Sequence, residues 1–433
     1  MMLITPLEDW ISRKIGHEGG LNRAALEAYQ LARLNDLLTR VNQKSAFYQS
    51  HLRGLPTQIG SLADWQQFPF TTAEDLCEQG LQFLCTSQDE INRVVTLDTS
   101  GTTGAPKRIY FTESDQQLTL DFFEVGMSTF TAPGDRVLIL LPCEREGSVG
   151  DLLATALERG GAYPLRQGIV RDYAQTLALL ESEHVDGVVG IPLQVLGLVR
   201  RSRPLQIKSV LLSTDHVPDP ITRAIETGWH CEVYNHYGMT EMGLGGGVEC
   251  QAQNGYHLRE ADMLFEIIDP GSGHPVPEGE YGEVVFTTLT RTGMPLLRYR
   301  TGDISRFLPG RCPCGTILKR LETIRYRHSG RVFVGGSFFT IADLDDVLFK
   351  INAVDNFSAQ ISCQGAILGL RIEIFTVGQI PARFSDQIRQ AVNEIPVIQN
   401  GLASHLLSLT INVSTTPALP IAAVKRTIRI IEG

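Results

Sequence analysis

The stretch Thr99-Ser100-Gly101-Thr102-Thr103-Gly104-Ala105-Pro106-Lys107 lies between two short apolar runs, 94–97 and 108–111. The apolar runs predict two strands, and the glycines between them predict a tight loop with uncovered amide N–H groups. The hydroxyl groups and the Lys107 ammonium add donors, so the loop suits an anion of phosphate type. The spacing is not that of a Walker loop, which has four residues between Gly and Gly-Lys and a helix afterwards. An ordinary Ser/Thr/Gly turn is the alternative for this stretch alone.

Length and composition restrict the class of protein. A chain of 433 residues predicts two or three domains. Its hydrophobic content of 43% and charged content of 20% are typical of a soluble globular protein. The net charge of -10, without a Lys/Arg block, argues against a nucleic-acid surface. We also predict no membrane helix, no signal peptide and no disulfide framework, and therefore a cytoplasmic location.

The hydrophobic pattern predicts an α/β architecture after the glycine loop. Short apolar runs alternate with helical candidates there, which favours α/β layers around a largely parallel sheet. The runs are 136–141, 187–191 and 209–212, and the helical candidates are 151–159, 172–183 and 193–201. Strand candidates at 263–269 and 282–287 then predict a small β-rich subdomain. Mixed helix and strand candidates beyond about Arg327 predict a small α+β domain.

Two further motifs carry candidate ligand groups. Tyr234-Asn235-His236-Tyr237-Gly238-Met239-Thr240-Glu241 is predicted at a strand end. Its carboxylate beside a hydroxyl suits Mg²⁺ held against phosphate oxygens, since hard cations take oxygen ligands. An aromatic ring at the same turn suits stacking on a base. In Leu297-Arg298-Tyr299-Arg300-Thr301-Gly302-Asp303, the acid after a tight turn can accept two hydrogen bonds from a ribose diol. A capped strand end and a generic turn are the respective alternatives.

Cysteine and histidine residues form a candidate metal site. Cys312-Pro313-Cys314-Gly315 follows the second motif, and Cys250 and His257 lie upstream. Three thiols and one imidazole suit a tetrahedral Zn²⁺ ion. The Cys-x-Cys spacing is tighter than in the usual zinc knuckle, so four reduced side chains without a metal are the alternative.

The order of these motifs resembles that of the acyl-adenylate-forming (AMP-forming) ligase superfamily, and within it the phenylacetate–CoA ligase-like branch. Pro69-Phe70-Thr71-Thr72-Ala73-Glu74-Asp75-Leu76 and the Cys312-Pro313-Cys314-Gly315 turn indicate the branch. The resemblance extends from about residue 31 to about residue 426. It implies a large N-terminal AMP-binding adenylation domain over residues 1–327, with layered α/β subdomains and the β-rich subdomain. A small mobile α+β lid domain would follow over residues 328–433.

The resemblance implies a role for each residue that matches a family motif. The ATP phosphates would be held by Ser100, Gly101, Thr102, Thr103, Gly104 and Lys107. Thr214 and Asp215 would lie near the adenine, and Tyr237 and Gly238 would border the adenine and the acyl pocket. Thr240 would contact the α-phosphate and Glu241 would hold Mg²⁺. The ribose would be bound by Asp303 and Arg327. A structural Zn²⁺ ion would be bound by Cys250, His257, Cys312 and Cys314.

The C-terminal part departs from the family pattern. Ser329-Gly330 stands where an Asp-Asp hinge pair is usual, and Gly335-Gly336 replaces Arg-Gly. The family's catalytic lysine follows a proline by five residues in a Gly-Lys-x-x-Arg context. Pro420 and Lys425 keep this spacing, although Val424 replaces the glycine. The resemblance therefore implies that Lys425 is catalytic, and a solvated lysine on the last strand is the alternative.

The function implied by the resemblance is that of an ATP-dependent acid–thiol ligase. It would form an acyl-adenylate and then an acyl-CoA thioester from an aromatic or related carboxylic acid. The catalytic residues would be Lys107, Thr240, Glu241 and Lys425. ATP/AMP, Mg²⁺, coenzyme A and structural Zn²⁺ would be the cofactors, with a homodimer as an option and no nucleic-acid or membrane partner. The alternatives are an adenylating enzyme with a non-CoA acceptor and a nucleotide-binding, non-catalytic homologue.

Overall fold

The computed structural model describes residues 3–17, 19–97, 106–364, 367–376, 378–380, 382–415 and 426–431. These residues form twelve α-helices, namely α1 (Pro6–Lys14), α2 (Arg23–Lys44), α3 (Ala46–His51), α4 (Ala73–Gln79), α5 (Glu113–Met127), α6 (Val149–Arg159), α7 (Tyr173–Ser182), α8 (Pro192–Val199), α9 (Asp219–Trp229), α10 (Ile341–Leu348), α11 (Phe384–Asn393) and α12 (Pro396–Ala403).

The same residues form twenty strands, most of them short. They are β1 (Ile91–Leu97), β2 (Lys107–Thr112), β3 (Arg136–Leu140), β4 (Tyr163–Arg166), β5 (Gly187–Gly190), β6 (Ser209–Leu212), β7 (Glu232–Tyr237), β8 (Gly247–Glu249), β9 (Tyr256–Leu258), β10 (Met263–Ile268), β11 (Gly282–Thr288), β12 (Tyr299–Ser305), β13 (Arg320–Leu321), β14 (Tyr326–Arg327), β15 (Val332–Val334), β16 (Ser337–Phe339), β17 (Val354–Gln364), β18 (Ile367–Thr376), β19 (Leu407–Ser414) and β20 (Arg429–Ile431).

The chain divides into two compact units. The first unit comprises Met1–Gly134, Arg145–Tyr163 and Tyr234–Ile324, and the second comprises Asp135–Glu144, Pro164–Val233 and Arg325–Gly433. Among the described residues, no helix has both the length and the apolar character needed to cross a bilayer. The domain boundary between residues 327 and 328 stays a prediction.

The first unit is built mainly from antiparallel strands. β10, β11 and β12 pair in that order, with Met263 opposite Thr288 and Phe286 opposite Tyr299. β7, β8, β9 and β13 form a second antiparallel run. β1 and β2 pair with Leu97 opposite Lys107, as the apolar runs on each side of the glycine loop predict. The strands therefore agree with the predicted β-rich subdomain.

The second unit contains the parallel sheet that the alternating pattern predicts. β3 pairs in parallel with β5, and β5 with β6. β5 and β6 are buried along their whole length. Parallel strands covered on both faces read as continuous apolar runs, and this is why these segments are recognisable in the sequence. The fold class is confirmed.

The C-terminal part of the second unit forms its own sheet, in the order β19-β18-β17-β20. Its apolar residues join one buried core with those of β5, α8 and α9, for example Leu344 and Ile372 with Leu196. Arg201, just after α8, donates two hydrogen bonds to the Asp355 carboxylate on β17, at 2.7 and 2.6 Å. These contacts hold the C-terminal sheet on the parallel-sheet part of the same unit.

Candidate active site

Lys107 is the only predicted residue of the glycine loop that the structure describes. It opens β2, and its partner Leu97 closes β1, so the two strands fix both ends of the loop. The predicted phosphate-binding residues Ser100, Gly101, Thr102, Thr103 and Gly104 lie outside the described residues. Their contacts with phosphate therefore stay a prediction.

The predicted Tyr-Gly-Met-Thr-Glu motif forms a tight turn at the end of β7. A single 3₁₀ turn over Thr240–Met242 ends at Gly243, which has a φ of +68°. A side chain at Gly238 would place its Cβ 2.1 Å from the Leu244 carbonyl oxygen. Only glycine therefore fits at position 238, and the close backbone approach turns the chain so that Glu241 faces the core.

Lys107 and Glu241 meet in the first unit although 134 positions separate them. The Lys107 ammonium donates to Glu241 Oε1, and the Tyr299 hydroxyl donates to the same oxygen at 3.1 Å. The Glu241 side chain is 2% exposed. A buried carboxylate needs a counter-charge and hydrogen bonds. Lys107 and Tyr299 thus supply the counter-charge and a hydrogen bond that the buried Glu241 carboxylate needs.

Asp303 and Tyr237 form a second buried pair in the same unit. The Tyr237 hydroxyl donates to Asp303 Oδ2 at 3.0 Å, and Asp303 is fully buried. The Thr301 hydroxyl oxygen accepts from the Asp303 amide at 3.0 Å and fixes the tight turn. The Tyr237 ring stacks on Tyr256, with centroids 5.7 Å apart. Burial, followed by the nearby carboxylates of Glu249 and Asp303, raises the pKa of Tyr256, so its hydroxyl stays protonated.

His236 precedes this turn on β7 and packs against two aromatic rings. Its ring centroid lies 6.2 Å from that of Phe122 and 6.0 Å from that of Phe123. Burial, together with the Arg259 charge, lowers the pKa of His236 to about 4. The imidazole is therefore neutral at neutral pH.

Three predicted nucleotide residues, Thr214, Asp215 and Arg327, lie in the second unit. Thr214 has a φ of +77°, a strained value for a β-branched residue and one typical of functional sites. The Asp215 carboxylate accepts from the His216 amide at 2.9 Å and from the Arg426 amide at 3.4 Å. Burial raises the pKa of Asp215, and Arg426 opposes this.

Arg327 is partly buried on β14. Lys425, the predicted catalytic lysine, lies outside the described residues. The backbone amide of Arg426, the next residue in the chain, donates to the carboxylate of Asp215, a predicted adenine residue. Asp215 is therefore the predicted site residue of the second unit that contacts the start of the last described segment, 426–431.

The predicted zinc ligands come together in the first unit. The donor atoms of Cys250, His257, Cys312 and Cys314 all lie within 4.8 Å of one another, and all four residues are buried. Cys250 Sγ is 3.6 Å from Cys312 Sγ, and Cys314 Sγ is 3.6 Å from His257 Nε2. In tetrahedral zinc sites with bonds of about 2.0–2.3 Å, neighbouring donors lie about 3.5–3.8 Å apart. The donor set and its spacing fit a zinc ion.

The Cys250 and Cys314 sulfurs share a hydrogen bond that favours the thiolate at Cys314 and the thiol at Cys250. This bond lowers the pKa of Cys314 and, together with burial, raises the pKa of Cys250. Burial opposes the protonation of His257, but the Cys312 and Cys314 sulfurs outweigh it and raise the pKa of His257 to about 9. One anionic sulfur, that of Cys314, is thus stabilised inside the fold, and the thiolate is the form that zinc binds.

Two residues at the Lys107–Glu241 cluster had no predicted role. Tyr299 lies within the quoted 297–303 motif, where only the acid was given a function. Arg291 lies outside every motif, and its Nη1 donates to the Glu241 carbonyl at 2.8 Å. A bond to a backbone carbonyl leaves no pattern in the sequence, so only the structure identifies this residue.

A family model described as AMP-binding enzyme matches residues 73–290, about half of the chain. The matched segment contains the glycine loop, the Glu241 turn, Cys250 and His257. It ends just before Arg291.

Curated relatives cover more of the chain. It is 27% identical over 438 aligned positions to the phenylacetate-coenzyme A ligase of Thermus thermophilus, covering 92% of this chain and 94% of the relative. It is 26% identical to the enzyme of the same name from Pseudomonas putida, covering 76% of each. A crystal structure of 2-hydroxyisobutyryl-CoA ligase in the postadenylation state, in complex with 2-HIB-AMP, superposes with a TM-score of 0.81. That alignment has 19% identity and covers 95% of this chain and 90% of the other, so it establishes the fold.

Proposed function

This chain belongs to the AMP-binding enzyme family, and we propose that it is an ATP-dependent acid–thiol ligase of the phenylacetate–CoA ligase-like branch. It joins a carboxylic acid to coenzyme A through an acyl-adenylate. The similarity to the two phenylacetate-coenzyme A ligases supports an aromatic or related acid as the substrate class.

The observation that carries this proposal is the buried contact between Lys107 and Glu241. Among the described residues, these two side chains bring a cation and a carboxylate to the end of the predicted phosphate loop. The Tyr237–Asp303 pair adds a buried carboxylate suited to a ribose diol. These two pairs of side chains support binding of a nucleoside triphosphate.

The first half-reaction joins the acid to AMP. A carboxylate oxygen attacks the α-phosphorus of ATP, and the bond between the α- and β-phosphates breaks to release pyrophosphate. The chain forms no covalent bond and works by positioning and by charge neutralisation. Lys107 neutralises phosphate charge, and Thr240 contacts the α-phosphate. Lys425 is the proposed second ammonium for this step.

The second half-reaction transfers the acyl group. The CoA thiolate attacks the acyl carbonyl, and AMP leaves with the oxygen that came from the acid. Residues 328–433 act as the lid domain that serves the two half-reactions in different positions. Hinge motion of this kind is common where one site hosts two reactions.

Two metal ions belong to the proposal. Glu241 would hold Mg²⁺, which supplies charge neutralisation at the ATP phosphates. Cys250, His257, Cys312 and Cys314 would hold a Zn²⁺ ion with a structural role, because four protein ligands leave no position for water. We place the reaction in the cytoplasm, where cysteines stay reduced. Light scattering on the purified chain tests the homodimer.

A pyrophosphate-release screen over aryl-acetic, benzoic and short-chain acids tests this function. Acid-dependent release with Mg²⁺ and ATP supports adenylation, and thioester formation on addition of CoA supports the ligase. Adenylation without a thioester would instead indicate a different acyl or AMP acceptor. No release with any acid would contradict the enzyme assignment.

A further inference from the structure

Arg291 lies in the segment that joins β11 to β12 and is almost completely buried. Its side chain reaches both halves of the Lys107–Glu241 site. Nη1 donates to the Glu241 carbonyl at 2.8 Å, and Nη2 donates to the Tyr110 carbonyl at 3.3 Å. The guanidinium also stacks on the Phe111 ring, 4.4 Å from its centroid. One side chain thus bonds to the turn that carries Glu241 and to the strand that begins with Lys107.

The bonding of this guanidinium is unusual for a buried charge. Buried arginines are normally paired with a carboxylate. Within the described part of the chain, Arg291 forms no ion pair, and its Nε has no hydrogen-bond partner. Burial lowers its pKa, and the more distant charges of Asp115 and Glu241 oppose this. A buried cation held by two carbonyls costs stability, so its presence here points to a role in the site.

The segment that carries Arg291 is itself firmly anchored. The Asp115 carboxylate, at the start of α5, accepts from the Thr292 amide at 2.8 Å and from the Gly293 amide at 3.1 Å. The same carboxylate caps α5 through the Thr112 amide at 3.2 Å. The backbone beside Arg291 is therefore fixed, and the arginine can transmit that position to the two site elements that it bonds.

We propose that Arg291 is a positioning residue that sets the distance between the Glu241 turn and the Lys107 strand, so that both side chains meet Mg·ATP together. The inference rests on the proposed function, and its effect on Mg·ATP affinity can be measured without turnover. A planar fork can bond two carbonyls at once, whereas a lysine ammonium of the same charge is a point donor. Charge alone is therefore not sufficient, and Lys is expected to replace Arg291 only in part.

Arg298 offers a matched control, because it is a buried arginine seven positions further along. Its guanidinium bonds to Glu266, to the carbonyls of Gln66 and Phe68, and stacks on Phe70. None of these partners belongs to the Lys107–Glu241 cluster. Replacing either arginine removes a buried guanidinium, but only Arg291 touches the site.

The experiment compares Arg291→Met, Arg291→Lys and Arg298→Lys with the unaltered chain. Titration calorimetry measures Mg·ATP affinity without acid, and pyrophosphate release measures kcat and the half-saturating Mg²⁺ concentration. We expect Arg291→Met to weaken Mg·ATP binding by roughly tenfold. We expect kcat to fall about 10- to 100-fold, since a misplacement of about 1 Å costs on that order. The Mg·ATP affinity and kcat of Arg291→Lys should lie between those of the unaltered chain and those of Arg291→Met. Arg298→Lys should lower only the melting temperature.

Each outcome decides the proposal. Unchanged Mg·ATP affinity and Mg²⁺ dependence in a folded Arg291→Lys or Arg291→Met protein would overturn it. So would equal shifts of both quantities in Arg298→Lys, since they would reflect general loss of stability. If Arg291→Met fails to fold, Arg291→Lys carries the test. If no acid is a substrate, the proposed function fails, while the calorimetric comparison still tests Arg291.

Discussion

Asp303 and Tyr237 can be separated by mutation, because one is the proposed ribose ligand and the other its hydrogen-bond donor. Asp303→Ala should weaken ATP binding by about 1–3 kcal/mol, the cost of hydrogen bonds lost in a buried site. Tyr237→Phe keeps the ring and the Asp303 carboxylate, so its loss should stay below about 1 kcal/mol. Titration calorimetry measures both. Full ATP affinity in Asp303→Ala would contradict the assignment of the ribose site.

His236 predicts a pH dependence of stability. Its pKa is about 4 in the folded chain, against an ordinary value of 6.5. The unfolded chain therefore binds more protons between these values, so the contribution of His236 is complete above about pH 6.5 and is lost as the pH falls towards 4. Urea unfolding at about pH 7.5 and at about pH 5 measures how much unfolding free energy is lost between the two pH values. We expect this loss to be about 1–2 kcal/mol larger for the unaltered chain than for His236→Gln. The same pH slope in both proteins would show that His236 is hydrated in the folded state.

The individual residues show how far the sequence leads. Lys107, Tyr237, Glu241 and Asp303 sit in motifs whose chemistry is readable, and the structure places them in two buried pairs. Tyr299 and Arg291 contact Glu241 across 58 and 50 positions of the chain. Neither contact leaves a local pattern. The roles of the predicted residues stay hypotheses until variants are measured.

At the scale of single elements, we predict that the turn with Cys312 and Cys314 is stabilised by a bound zinc ion. Cys312→Ser should remove stoichiometric zinc and lower the melting temperature by several degrees, because metal binding is coupled to folding. Cys363→Ser is the control, since Cys363 is an exposed cysteine on β17. Elemental analysis and thermal unfolding give the two readouts. A purified, unaltered chain without zinc would contradict this prediction.

Element boundaries were predictable where capping groups mark them. Residues 23–51 form two helices, because the Ser45 hydroxyl accepts from the Tyr48 amide and starts α3. Thr72 and Asp75 cap α4 through a reciprocal pair of hydrogen bonds. Val354–Gln364 was not predicted as a strand, since only its pairing with Ile367–Thr376 gives its mixed residues a buried face.

At the scale of the whole molecule, replacing Asp355 tests how strongly the Arg201–Asp355 ion pair holds the C-terminal sheet within the second unit. The Asp355 side chain is 5% exposed, and the pair is bidentate. Asp355→Ala should cost about 3 kcal/mol, because it leaves a mostly buried charge unpaired. Arg203→Ala removes an exposed partner of Glu181 and should cost less than about 1 kcal/mol. Equal losses in denaturant unfolding would mean that the Asp355 pair contributes no more than a surface contact.

The sequence predicted the α/β class from continuous apolar strands, but it gave no sign that residues beyond 328 share a core with α8 and α9. Core sharing depends on which buried faces meet, and hydrophobic periodicity reports only that a face is buried. Movement of residues 328–433 as a lid depends on contacts such as the Arg201–Asp355 pair, and these contacts also leave no pattern in the sequence.

The most direct measurement follows oxygen from the acid to AMP. An acid that is a substrate is labelled with ¹⁸O in its carboxylate and incubated with the protein, ATP, Mg²⁺ and CoA. Mass spectrometry then measures the label in AMP and in pyrophosphate. We expect one labelled oxygen in AMP and none in pyrophosphate, because the attacking oxygen stays on the α-phosphorus when the thiolate cleaves the acyl–oxygen bond. AMP without label, or ADP with labelled orthophosphate, would contradict adenylation as the function of this chain.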